Sequence, residues 1–366
     1  MNYSKWIKIT VLYTALLFAF IVVPNIFFDT FGVYSSLFDL NKGKKINYSM
    51  SASGINQRIY NTELILRNPD RFDSFLFGSS RIGVIDPGKI TTGHFYNMSY
   101  PQGIVAEHLS IIKTFLKKGI KIKNVIIGMD EFSFKSRISE HENQLLYIMH
   151  PDVSGKSRSN LFFRYFFRLP RPFEISFWFK FLFKNNGEFK PLFNDTGLNV
   201  SWLATEKKIA ATGKYSFLNE DFAYSPFIFD QQLANEVFAQ IDEMKLLAKK
   251  NNFSLIIFFN PIYAQRYANY AAGFLSIKKD LAEHTDFYDF SGFNSITTDD
   301  FNYYEDHHYR YLIGDMIIQR ISGNGNIKVP DDFGVLVTKN NVYTYINKQK
   351  MEMGKYLADK IAGKER

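Results

Sequence analysis

The chain contains no cysteine, which removes disulfide cross-links, thiolate nucleophiles and cysteine-ligated zinc from consideration. That absence is compatible with export. There is no internal repeat and no low-complexity tract. The formal net charge is +8, yet no run of basic residues resembles a nucleic-acid-binding arm. Lys and Arg are instead scattered through a large aromatic complement, 17% of the chain with 38 Phe and 22 Tyr. An anionic membrane face or a polyanionic glycan suits that mixture; nucleic acid does not. At 366 residues the chain can form one large α/β domain with insertions or two smaller domains, and in either case can bury a substantial core.

Residues 9–28 carry no charge and, at ~1.5 Å per residue, are long enough to cross a ~30 Å hydrocarbon layer. A cleaved signal peptide would have a shorter apolar region and a small-x-small cleavage site, neither of which is visible. The segment therefore reads as a retained transmembrane anchor over residues 1–30. Lys5 and Lys8 precede it, so the positive-inside rule puts the amino terminus in the cytoplasm and the main domain on the extracytoplasmic side.

A polar connector follows over 31–68, with the basic run at 42–45 and a short helix near 61–67. A βα rhythm then begins: strands at 74–77 and 94–98, an amphipathic helix at 105–118 and a strand at 124–129. The rhythm stops near Phe134 and resumes with a helix at 231–251, an apolar strand at 254–259, a helix within 264–283, a strand at 287–290 and a helix at 309–321. Alternating strands and helices predict a doubly wound, flavodoxin-like parallel sheet of five strands. Its two parts, 69–134 and 227–325, flank a helical, aromatic-rich insertion at 135–226, and an extension at 326–366 carries a charged amphipathic helix at 342–364. In the insertion, Arg164, Arg168, Arg171, Lys180 and Lys184 punctuate a nearly continuous aromatic surface. Helices lying in a membrane interface, or against an integral-membrane partner, have that composition. So does a hairpin packed over the sheet with its basic residues in water, and composition does not separate these.

The strand at 74–77 runs into Gly78-Ser79-Ser80-Arg81. A glycine turn at the carboxyl edge of a sheet can lift a hydroxyl out of the core, although Gly-Ser-Ser also serves simply to close turns. A nucleophile needs a base, and Glu305-Asp306-His307-His308-Tyr309-Arg310 supplies one between the last strand and the last helix. Loops at the carboxyl edge converge in such a sheet. A serine, a neutral imidazole to take its proton and a carboxylate to orient the imidazole form a nucleophilic triad. The same stretch offers metal-ligand types but no established zinc spacing, so metal ranks behind the triad, a metal-dependent hydrolase using His307 and His308 stands as a rival reading, and no cofactor is expected.

Together these motifs and the loop from Tyr96 to Gly103 resemble the SGNH (GDSL-like) hydrolases, and with one amino-terminal span the membrane-anchored DltD-like and alginate-O-acetylation-like branch. The resemblance covers roughly 70–134 and 230–321. It implies Ser80 as nucleophile, His308 as base and Glu305 as the acid, with Asp306 the alternative because the family has Asp-x-x-His. For the oxyanion hole it implies the Ser80 N–H and Gly103, next to Gln102. The family's asparagine after the third strand has no counterpart, since Asp130 stands there and would repel an oxyanion; Asn97 is the candidate for the missing donor. Arg81 reads equally as a partner for an acid near the site, a contact for an anionic substrate, or a solvated side chain. The family also implies an O-acyltransferase or esterase acting on an envelope polysaccharide, with a membrane-bound multispan acyltransferase (MBOAT-type) as partner contacting the insertion. An inactive scaffold subunit of such a complex is the alternative.

Overall fold

The computed structural model describes residues 3–38, 54–141, 144–183, 192–216, 229–323 and 327–363; the basic run at 42–45 and Lys184 lie outside them. The chain is mixed α/β and divides into two compact units, Met1–Arg67 with His141–Leu192, and Asn68–Glu140 with Phe193–Arg366. The span 135–226, expected as one insertion, is shared between them.

The second unit is built on a six-stranded sheet. Its strands are β1 (Ser74–Gly78), β2 (Phe95–Asn97), β3 (Asn124–Met129), β4 (Ser254–Phe259), β5 (Phe287–Asp289) and β8 (Val335–Val337), and a separate two-stranded ribbon pairs β6 (Tyr303–Glu305) with β7 (His308–Tyr309). The order in the large sheet is β2-β1-β3-β4-β5-β8. The first five are parallel, and β8 pairs antiparallel to β5. The sequence reading had five strands and no strand in the carboxyl-terminal extension. Val335–Val337 is too short to show a period, and it becomes a strand because it finishes the edge left open by β5.

Parallel strands buried on both faces should read as unbroken apolar runs rather than alternating ones. β1 is buried at every position and β3 at all but its first, as Phe75-Leu76-Phe77 and Val125-Ile126-Ile127 foretell. The order in which successive strands are added reverses at β1, with β2 on one side and β3 on the other, the switch point at which loops from the strands' carboxyl ends diverge and leave room for a ligand. Ser80 follows β1 there. The β1 end also requires glycine, because a Cβ on Gly78 would lie 2.7 Å from the Gly128 carbonyl oxygen and 2.9 Å from Ile82 Cγ2.

The first unit begins with the helix Tyr3–Phe28, 26 residues long and apolar enough to cross a membrane, with 11% of its most apolar window buried. The unit's own core joins Phe31, Val33 and Leu37 to Ile59 of the helix Gln57–Arg67 and to Leu161, Tyr165 and Phe166. Glu63 ties the connector helix to the later segment: it accepts from His150 Nε2 at 2.6 Å and Arg67 Nε at 2.7 Å. Burial would raise the Glu63 pKa, but these bonds outweigh it and lower the carboxyl to about 2.

Candidate active site

Ser80 opens a 3₁₀ turn, Ser80–Val84, directly after β1. Ser79 caps that turn, its Oγ accepting the Arg81 N–H at 3.2 Å. The first N–H groups of a helical turn have no preceding carbonyl to bond, so the turn itself supplies no acceptor for the Ser80 N–H. One serine is therefore turn chemistry and the other is presented.

The base arrives on a hairpin. β6 and β7 are joined by only Asp306 and His307, and the register places Glu305 directly opposite His308. Directly opposed residues in an antiparallel ribbon bring their side chains together. His308 Nδ1 donates to Glu305 Oε1, which leaves Nε2 unprotonated, and Ser80 Oγ sits 2.9 Å from Nε2. The stretch 302–310 was expected as a loop running into a helix from 309. His308 and Tyr309 are instead strand, and the helix Tyr311–Ser322 starts after Arg310.

Glu305 and Asp306 take different partners. The Glu305 side chain is 41% exposed and faces His308, while that of Asp306 is 6% exposed and bound to Arg266 at 2.7 Å. Asp306 also accepts from His307 Nδ1. Asp306 as the alternative acid is corrected by this geometry: its oxygens are engaged by Arg266 and His307, not His308. The bond from His308 lowers the Glu305 pKa. Burial lowers the His308 pKa, aided by the nearby His307 charge and opposed by Glu305. A base held neutral and an acid held ionised are the protonation states that a triad requires.

Asn97 is a second correction. Its amide nitrogen donates to the Ile82 and Ile85 carbonyls at 2.7 and 3.0 Å, and its oxygen accepts from the Ser99 N–H at 3.0 Å. Both amide hydrogens hold the turn that follows Ser80, so Asn97 has none for an oxyanion. Gly103 lies against the end of β1, where a Cβ would meet the Gly78 carbonyl oxygen at 2.7 Å. Only a residue without a side chain brings its backbone that close.

Arg81 is buried and donates to Asp130 Oδ1 at 2.6 Å and to the two Glu131 oxygens at 2.6 and 2.9 Å. It pins the Ser80 turn to the end of β3 and is not a solvated side chain. Burial raises the Asp130 pKa, Arg81 pulling against it. Burial acts the same way on Glu131, but there the Arg81 charge wins and the pKa is lowered.

Several residues escaped the sequence reading. Asn260, just past β4, donates to Asp130 Oδ1 at 3.1 Å and accepts from the Tyr309 hydroxyl at 3.0 Å, so it joins the end of β3 to the hairpin. Its place after an apolar strand parallels that of Ser79-Ser80 and was a usable signal. Trp202 had none, lying in the aromatic insertion. It stacks on Tyr304 with centroids 4.5 Å apart and stands 6.3 Å from the His308 ring. Behind it, Glu206 accepts from the Tyr304 hydroxyl at 2.6 Å and from Arg310 at 2.8 and 2.9 Å, holding the hairpin from its outer side.

Ligand atoms of Glu305, His307 and His308 lie within 4.8 Å of one another. Both His308 nitrogens are already engaged, by Ser80 and Glu305, so coordination would require breaking one of those bonds. Comparison with known proteins gives no family model and no curated protein that matches the chain.

Proposed function

We propose that the chain is a membrane-anchored serine O-acyltransferase or esterase of SGNH type, working on a cell-envelope glycan through an acyl-enzyme on Ser80. The observation that carries this reading is the Ser80–His308–Glu305 relay at the carboxyl edge of the sheet, with Ser80 Oγ 2.9 Å from His308 Nε2. Ser80 Oγ attacks the acyl carbonyl carbon and its proton passes to His308 Nε2. The imidazolium is stabilised through Nδ1–H on Glu305. As the tetrahedral adduct collapses, His308 returns the proton to the departing oxygen and the acyl group remains on Ser80. A sugar hydroxyl or water then gives its proton to Nε2, attacks the acyl carbon and takes the acyl group, and Ser80 recovers its hydrogen. The Ser80 N–H and Gly103 are the donors assigned to the oxyanion.

The helix Tyr3–Phe28 is the anchor. Lys5 and Lys8 before it support a cytoplasmic amino terminus and an extracytoplasmic catalytic unit, where a multispan MBOAT-type acyltransferase would supply acyl groups from across the bilayer. A non-catalytic scaffold draws on one observation, the commitment of Asn97 to the Ser80 turn, which leaves the oxyanion hole a donor short. The test is Ser80→Ala as the only copy in cells. Loss of envelope acylation is expected, and unchanged acylation would sink the catalytic reading.

A further inference from the structure

We infer that the span is not the only part of the chain in the bilayer: the helices Arg158–Phe166 and Pro172–Phe183, with the turn between them, are immersed in the leaflet boundary beside the span's carboxyl end. The inference rests on the membrane-spanning reading of Tyr3–Phe28 and is independent of the catalytic one.

Asn25 is the polar residue of the otherwise apolar residues 15–28, and its amide donates to the Phe166 and Arg168 carbonyls at 3.0 and 2.9 Å. It thus satisfies acceptors freed where the helix Arg158–Phe166 ends. Backbone at membrane depth requires such internal partners, because lipid offers none. Asn25 lies three residues before Phe28, so this turn sits ~5 Å inside the end of the span, the depth at which amphipathic helices settle in a bilayer. Phe167 reaches deeper, its ring 5.8 Å from that of Phe18.

Of the charges in the turn, that of Arg168 is paired, while the Arg171 side chain is exposed. Arg168 donates to both Glu174 oxygens, and Glu174 Oε2 also accepts the Arg171 N–H at 2.9 Å. Trp178 stacks on Phe28 at 4.8 Å and donates to Thr30 Oγ1 at 3.3 Å, an apolar ring with a polar tip at the span's end, as interfacial Trp residues are placed. One side of Arg158–Phe166 faces the unit's own core through Leu161, Tyr165 and Phe166. Phe163, Phe167, Leu169, Phe179 and Leu182 are exposed, adjoining the exposed flank of the span. Lipid is the occupant that makes both surfaces one.

The absence of cysteine makes the test direct. Single cysteines replace Phe163, Phe167, Leu169 or Phe179 in the full chain, with Phe18→Cys and Leu246→Cys as lipid and water references, each carrying a nitroxide in phosphatidylethanolamine–phosphatidylglycerol vesicles. Collision with oxygen is compared with collision with a water-soluble nickel chelate. The four sites are expected to favour oxygen severalfold, as Phe18 does, while Leu246 favours nickel. Nickel preference at the four sites, with Phe18 still in lipid, overturns the inference and spares the span. Phe18 in water overturns both. Poor access to either reagent at the four sites means protein covers the face, which also overturns it.

Discussion

Glu305 and Asp306 are neighbours in the chain, yet their hydrogen bonds go to different imidazoles, and that division makes a sharp comparison. Glu305→Gln keeps the shape but loses the charge that holds the His308 tautomer, so turnover should fall by ~100- to 10,000-fold. Asp306→Asn acts on His307 and Arg266 and should leave turnover within about tenfold, its effect passing only through the hairpin. Initial rates on a chromogenic ester distinguish the two; equal losses would refute the assignment of Glu305. The pH dependence has a defined sign. The reactive imidazole is neutral and its pKa is lowered by burial, so kcat/KM should rise as pH climbs through a value below the ordinary ~6.5 of histidine and then level off. Removing the like charge with His307→Gln should move that rise to higher pH. A rise at or above the ordinary histidine value in the unmodified chain would contradict the buried-base geometry.

At the scale of elements, the glycines that close the site give the next prediction. Gly103→Ala introduces a Cβ 2.7 Å from the Gly78 carbonyl and 2.8 Å from Tyr100 Cε2. It should cost ~1–3 kcal/mol, read as a lower Tm, and reduce acyl transfer beyond what the lost stability explains. The same elements show what was legible beforehand. Asn124–Met129 and Ser254–Phe259 have the bounds read from their apolar runs; the first is buried at all but its first position and the second over its last three residues, and strands covered on both faces leave a continuous hydrophobic signature. Ser80 and His308 were found as a pair because each follows a strand at the same edge. The ribbon Tyr303–Glu305 with His308–Tyr309 was not, since such short strands show no period and the opposition of Glu305 to His308 exists only once the ribbon pairs. Asn97 looked like a free donor because sequence shows an amide but not its acceptors. Trp202 and Glu206 come from the aromatic insertion, whose composition says nothing about which ring meets the hairpin.

At the scale of the whole molecule, the carboxyl-terminal helix Val342–Ile361 is built into the second unit. Lys278 and Asp289 form a fully buried ion pair at 2.6 Å, and the Tyr345 hydroxyl of that helix donates to Asp289 Oδ2 at 2.8 Å. Burial would lower the Lys278 pKa, but the Asp289 charge overrides it and the amine stays charged. Lys278→Met leaves Asp289 buried without its cation and should cost ~3–5 kcal/mol in chemical denaturation; Lys278→Met with Asp289→Leu should recover much of that loss. No recovery would mean that the pair contributes more than mutual neutralisation. The central claim, an acyl-enzyme on Ser80, is tested most directly by exposing the full chain in membranes to a fluorophosphonate probe and mapping the adduct by mass spectrometry. A single adduct on Ser80, abolished by Ser80→Ala and strongly reduced by His308→Ala, is the expected result. An unlabelled Ser80 in the folded chain, or labelling that persists in Ser80→Ala, would contradict it.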